Sequence, residues 1–281
     1  MKFRWMILTI ATTVWGAPTF YKDVVPVLQN RCQECHRAGE VAPMSLMSYS
    51  EVRPWAKAIK EAVLTKKMPP WFADPHFGTF SNNRSLSQSE IDTMAAWVDE
   101  GAPEGNPKDA PKPREFTEGW RIGQPDIVFQ MPEAVNVPSA GVVDYVYVVI
   151  PTGFTEDKWV QFAEARPDAR SAIHHIIAFV RPPGSRWMKD AKPGVPFSQR
   201  SEYQTLNPAR LEDNLPGELL VAYAPGLPPT QCKQGEAKLV KAGSDIVLQL
   251  HYTPNGKATT DRSKVGLTFA KGPVEDRKRH V

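Results

Sequence analysis

The stretch GAPEGNPKDAPKPREFTEG, residues 101–119, divides this chain into two parts with different hydrophobic periods. It carries four prolines, many charges and almost no apolar residues, which is the composition of a linker. Before it, apolar residues recur at helical spacing. In SYSEVRPWAKAIKEAVLTKK the residues Val52, Trp55, Ala56, Ile59 and Val63 predict one buried helix face. In SQSEIDTMAAWVDEG, Ser87 and Glu90 form a capping-box pattern. Ile91, Met94, Ala95 and Val98 make the apolar stripe there, and Gly101 fits the stop. After the linker the period falls to two. DIVFQ, DYVYVVIP, KWVQFAEA, SAIHHIIAFV, GELLVAYAPG, SDIVLQLHY and KVGLTFA predict about seven strands separated by turn residues. The expected architecture is multidomain: a small all-α domain at residues 18–105, a Pro-rich linker at 106–125, and an all-β antiparallel sandwich at 126–281. The 27 prolines suit that β-rich, loop-rich second half better than long helices.

The first 17 residues, MKFRWMILTIATTVWGA, have a basic start, an apolar run from Trp5 to Trp15 and the small residues Gly16 and Ala17. This is the order of a secretory signal peptide, with an uncleaved N-terminal anchor as the alternative, and either way the folded part is expected to be periplasmic or secreted. The run is short for a membrane span, and no later stretch approaches about 18 apolar residues, so no integral span is expected in the mature chain. The net charge of +3 includes Lys2 and Arg4 of that leader and leaves no basic stripe for nucleic acid.

Residues 32–36 read Cys-Gln-Glu-Cys-His, a C-x-x-C-H motif. Thiols one helical turn apart can add to the two vinyl groups of a haem, and the next residue, His36, then lies under the iron. A thioredoxin-like redox pair would need a βαβ context, and half a zinc site would need further ligands nearby. The cofactor expected here is covalent haem c on Cys32, Cys35 and His36. For the sixth iron ligand, KKMPPWFADPH offers Met68 on a loop stiffened by Pro69 and Pro70, with His76 the main rival. Met44 and Met47 also compete, whereas Met94 falls on a helix stripe and reads as core. C-x-x-C-H, MPPW and NNRSLSQSEID ahead of the last helix together resemble the small cytochrome c domains of exported bacterial multidomain proteins.

The second constellation is the pair His174–His175 inside SAIHHIIAFV, in a chain with six histidines. Consecutive strand residues face opposite sides, so both can reach one metal only if the strand bulges. In SDIVLQLHY, Ile246, Leu248 and Leu250 share one face while Gln249 and His251 share the other. Three imidazoles from two strands suit copper or zinc. SAIHHIIAFV, LLVAYAPGLPPT and SDIVLQLHYTPNG resemble the N-terminal domain of the copper type II, ascorbate-dependent monooxygenases, the family of peptidylglycine hydroxylating monooxygenase and dopamine β-monooxygenase. The resemblance implies a jelly-roll sandwich and a copper held by His174, His175 and His251 that stores electrons. That family's catalytic copper half, with its His-x-His pair, has no counterpart among these residues, so no catalytic residue is assigned. Cys232 has no partner and reads as a buried small hydrophobe, with a reactive thiol as the alternative.

These readings converge on an exported haem- and copper-binding redox protein, monooxygenase-like in descent. Electrons would pass from haem to the three-histidine copper. An exported donor protein or small reductant would supply the haem. The alternatives are a monooxygenase completed by a catalytic copper domain on another chain, and a cytochrome carrying a non-redox β-sandwich binding module.

Overall fold

A computed structural model describes residues 16–80, 82–198 and 217–278. The leader up to Trp15 and His280 lie outside the described residues. The chain forms two compact units, one comprising residues up to Arg37 with Met44–Arg114, the other Ala38–Pro43 with Glu115–Val281. The boundary falls inside the proline-rich stretch. Part of the expected linker is held down on the first unit: Arg114 donates to the Gln29 carbonyl and to Glu34, and Gln29 donates to the Lys112 carbonyl.

The first unit is helical. A π-helical turn, Phe20–Val24, runs into α1 (Val25–Arg31). Next come α2 (Tyr49–Val52), a 3₁₀ turn at Arg53–Trp55 and α3 (Ala56–Leu64). The single helix expected over 48–67 is therefore broken, because Pro54 has no amide hydrogen and disfavours the helical conformation before it. Val52, Ala56, Ile59 and Val63 are buried as expected, but Trp55 faces outward at 44% exposure. The last long helix, α4 (Gln88–Asp99), opens on the expected capping box: Ser87 Oγ accepts the Glu90 amide and Glu90 accepts the Ser87 amide. It closes in a Schellman motif, Ala102 N–H to Trp97 O and Gly101 N–H to Val98 O, with Gly101 at φ +85°. Its buried residues are Ile91, Met94 and Trp97. Ala95 and Val98 are only half-buried, because Trp97 fills the centre of this small core and packs against Phe20.

The second unit is a β-sandwich. Its strands are β1 (Ile127–Gln130), β2 (Val135–Val137), β3 (Val146–Pro151), β4 (Lys158–Arg166), β5 (Ile173–Arg181), β6 (Phe197–Ser198) and β7 (Glu218–Tyr223). They continue with β8 (Thr230–Gln231), β9 (Glu236–Val240), β10 (Asp245–Tyr252), β11 (Thr259–Asp261), β12 (Lys264–Phe269) and β13 (Asp276–Arg277). One sheet runs β1-β12-β4-β9-β13, with β8 also on β4; the other runs β6-β3-β10-β5-β7; β2 and β11 form a separate pair. All seven expected strands are present. Pairing is antiparallel except for β9–β13, which is parallel and departs from an all-antiparallel sandwich. Side chains of both sheets meet in one core, including Val160, Ala163, Val265 and Leu267 from the first and Val148, Ile176, Leu248 and Leu250 from the second. The outer face of the second sheet carries a smaller apolar cluster of Tyr147, Val149, Trp187 and Val247, so β3 is buried on both faces.

Candidate functional site

The three sequence-predicted histidines of the sandwich come together. β10 pairs with β5 in antiparallel register, Leu250 opposite Ile176 and His251 opposite His175, but the next pair is Tyr252 with Ile173. His174 is skipped. This is a β-bulge, and its effect can be read from burial: Ile173 and Ile176 point into the core, while His174 is exposed and His175 half-buried. Without the bulge, alternation would send one histidine of the pair inward. With it, both leave the core side and join His251, whose β10 neighbours Leu250 and Tyr252 face inward.

The ring centroids are 5.4 Å apart for His174 and His175, and 5.1 Å for each of them to His251. One nitrogen from each ring lies within 4.8 Å of the others. His174 Nδ1 and His175 Nδ1 are 3.2 Å apart, so at most one of them carries a proton. His175 Nε2 and His251 Nδ1 are buried and have no hydrogen-bond partner. Buried polar atoms are nearly always satisfied, so two ring nitrogens without partners within one histidine cluster call for an explanation. Burial pushes the His175 imidazole below its ordinary range, helped by the neighbouring His251 and His174 and opposed by Gln249. Burial and His174 lower His251 as well. Neutral imidazoles are the form that ligates a metal. The donor set, three nitrogens with no thiolate or carboxylate in the group, fits copper or zinc.

Tyrosines beside the trio escaped the sequence reading. Tyr145 stacks obliquely on His251 at 4.8 Å and lies 5.7 Å from His175. The register of β3 on β10, Leu250 opposite Val146, places Tyr145 beside His251 one step further on. Gln249, on the histidine side of β10, donates to the Tyr147 hydroxyl at 2.7 Å. The parity of Tyr145 and Tyr147 was visible in DYVYVVIP, but their pairing with SDIVLQLHY was not.

The chain matches no family model and no curated protein.

In the helical unit, Cys32 caps α1, and the amides of Cys35 and His36 both turn back to the Cys32 carbonyl at 3.1 and 3.0 Å. The motif is thus one compact turn. His36 Nδ1 lies 3.3 Å from the Met44 carbonyl, which fixes the ring, as a partner on one ring nitrogen does for a ligating histidine. Burial lowers the His36 imidazole, and the Met44 carbonyl partly restores it. Burial, with the neighbouring Cys35 and Glu90, pushes the Cys32 thiol up to about 12. A redox pair needs a lowered thiol and a βαβ setting, and no strand is present among the described residues before Ile127. Among the described residues the histidine trio is the sole group of three or more such donors close enough to share one ion, so Cys32, Cys35 and His36 do not converge as a zinc site. Two thiols and an imidazole held in one turn are a donor set that fits a covalent haem. Among the described residues, seven large apolar side chains between Met47 and Phe80, including Phe72 and Phe77, are exposed.

The rivals for the sixth position separate. Met68 is 39% exposed and lines a cavity of about 340 Å³ with Val63, Trp71, Phe80 and Leu86; Cys32, Cys35 and His36 are not among its walls. His76 is exposed and its ring is bonded to Asp74 at 2.7 Å. Met44 packs against the helical core, Met94 is buried in it, and Met47 is exposed. The fold therefore brings the motif together but does not join Met68 or His76 to it. Cys232 is a buried free cysteine, its thiol raised by burial. Among the described residues no helix is long and apolar enough to cross a membrane.

Proposed function

We propose that this chain is an exported two-centre electron carrier, with haem c on Cys32, Cys35 and His36 and copper on His174, His175 and His251. The observation that carries the reading is the bulged β5, which gathers three imidazoles on one face and leaves His175 Nε2 and His251 Nδ1 buried without partners. Bound on these residues, the two groups would supply one-electron chemistry, with an exported one-electron donor as the source of the electrons. The residues' own task is to hold the centres. β5 and β10 lie within the second sheet, between β3 and β7, so the histidine backbone is pinned on both sides. The helical unit fixes His36 through the Met44 carbonyl and encloses the motif loop with Gln33, whose amide donates to Leu46 O.

Copper rather than zinc follows from the company it keeps, since a redox-inert ion gives a haem domain nothing to exchange. The sandwich is proposed to be a jelly roll of the monooxygenase kind without a catalytic role of its own. The test is a rapid-mixing experiment on protein loaded with both groups. After the haem is reduced by a small donor, the Cu(II) resonance should disappear as the ferric haem band returns. Copper that stays oxidised while the haem stays reduced would defeat the proposal.

A further inference from the structure

Asp261, the last residue of β11, is fully buried and belongs to neither candidate centre. Its side chain accepts four hydrogen bonds. Oδ1 takes the backbone amides of Asp168 and Ala169, both at 2.9 Å. Oδ2 takes the Tyr252 hydroxyl at 2.9 Å and the Ser263 hydroxyl at 2.6 Å. Three of these donors lie near the bulge: Asp168 and Ala169 in the turn before β5, and Tyr252 at the end of β10. Ala169 starts the turn into β5, its carbonyl accepting the amides of Ala172 and Ile173, and Thr253 N–H closes the strand end on Ala172 O. Tyr252 follows His251 and is the residue that pairs with Ile173 across the skipped His174.

We propose that Asp261 is the positioning residue of the histidine site, holding the turn at 168–172 and Tyr252 in the one register that brings His174 out beside His175 and His251. This rests on the reading of the trio as a metal site. In a regular ladder Tyr252 would face His174, and His174 would share its inward direction. The bulge gives up that pairing, and a local disruption persists only where its surroundings hold it. A buried carboxylate with all its lone-pair positions used supplies that hold, because any other register leaves it and its donors unpaired.

The test compares the full-length, haem-loaded protein with Asp261→Ala, Asp261→Asn and the core control Leu267→Ala. Copper affinity, nitrogen couplings in the Cu(II) resonance, and, in copper-free protein, the Ile173–Tyr252 cross-strand contact by NMR are the readouts. Asp261→Ala should weaken copper by about tenfold or more, lose one nitrogen coupling and lose the Ile173–Tyr252 contact. Asp261→Asn should keep most of the affinity, its oxygen facing the two amides and its NH₂ the two hydroxyls. Leu267→Ala should lower the melting temperature without changing the couplings. A folded Asp261→Ala protein with wild-type affinity and contact overturns the proposal. If that variant does not fold, Tyr252→Phe removes a single bond and little bulk: weaker copper and a weakened contact support the proposal, and no change in either overturns it. If wild-type protein takes up no copper, the metal reading fails, and the NMR contact alone still decides whether Asp261 sets the register.

Discussion

In the helical unit the candidate donors Cys32, Cys35 and His36 sit within one turn after α1, whereas in the sandwich His174 and His175 on β5 meet His251 on β10 only through strand pairing. The first arrangement needs little beyond local backbone. The second needs two strands in register and a bulge between them. The motif turn should therefore keep its chemistry when the surrounding packing is weakened, and the histidine cluster should not.

Four perturbations sharpen or break that contrast, from the largest effect to the smallest. Cys35→Ser should reduce haem attached through two thioethers to none, seen as loss of haem staining or a weakened single-link product on a denaturing gel, while copper per chain is unchanged. Loss of both metals together would show that the units are not chemically separate. Leu248→Ala empties a fully buried site on β10 and should cost about 2–5 kcal/mol by denaturant unfolding. Copper affinity should fall with it and covalent haem should not.

Lys238 gives a pH test of the sandwich alone. It is buried, its ammonium donates to the carbonyls of Leu219 and Leu220, and burial lowers its pKa from 10.5 to about 8. Between those two values the unfolded chain holds a proton that the folded one has released. This group's contribution to stability therefore rises as pH goes from about 8 to 10.5, and its penalty is fully present below about 8. The span is on the order of 3 kcal/mol. The difference between wild type and Lys238→Met in urea midpoints across that range should show it, and a difference that does not vary with pH would contradict it. Smallest is Ser87→Ala, which removes the capping box of α4 and should cost about 1 kcal/mol, with no effect on copper.

Legibility followed the same divide. C-x-x-C-H, the capping box at Ser87 and Glu90 and the seven main strands could be read locally, because each is written in neighbouring residues. Trp97 displaced Ala95 and Val98 from the helical core because side-chain volume, which a periodicity count ignores, decides who fills a small interior. Pro54 broke a helix whose apolar spacing continued through it. The strand Glu236–Val240 was missed because EAKLV places Lys238 inward, and only the β7 carbonyls it reaches explain a buried lysine. The need for a bulge at His174 followed from strand parity, but its cause did not: Asp261 and Tyr252 lie far along the chain, and nothing local ties them to the pair.

The most direct measurement is iron and copper per chain on exported, haem-loaded protein, with His251→Ala alongside. One iron and one copper in the wild type, with copper alone lost in the variant, is the predicted result. One iron and no copper in the wild type would contradict the account and leave the three histidines without a metal to explain them.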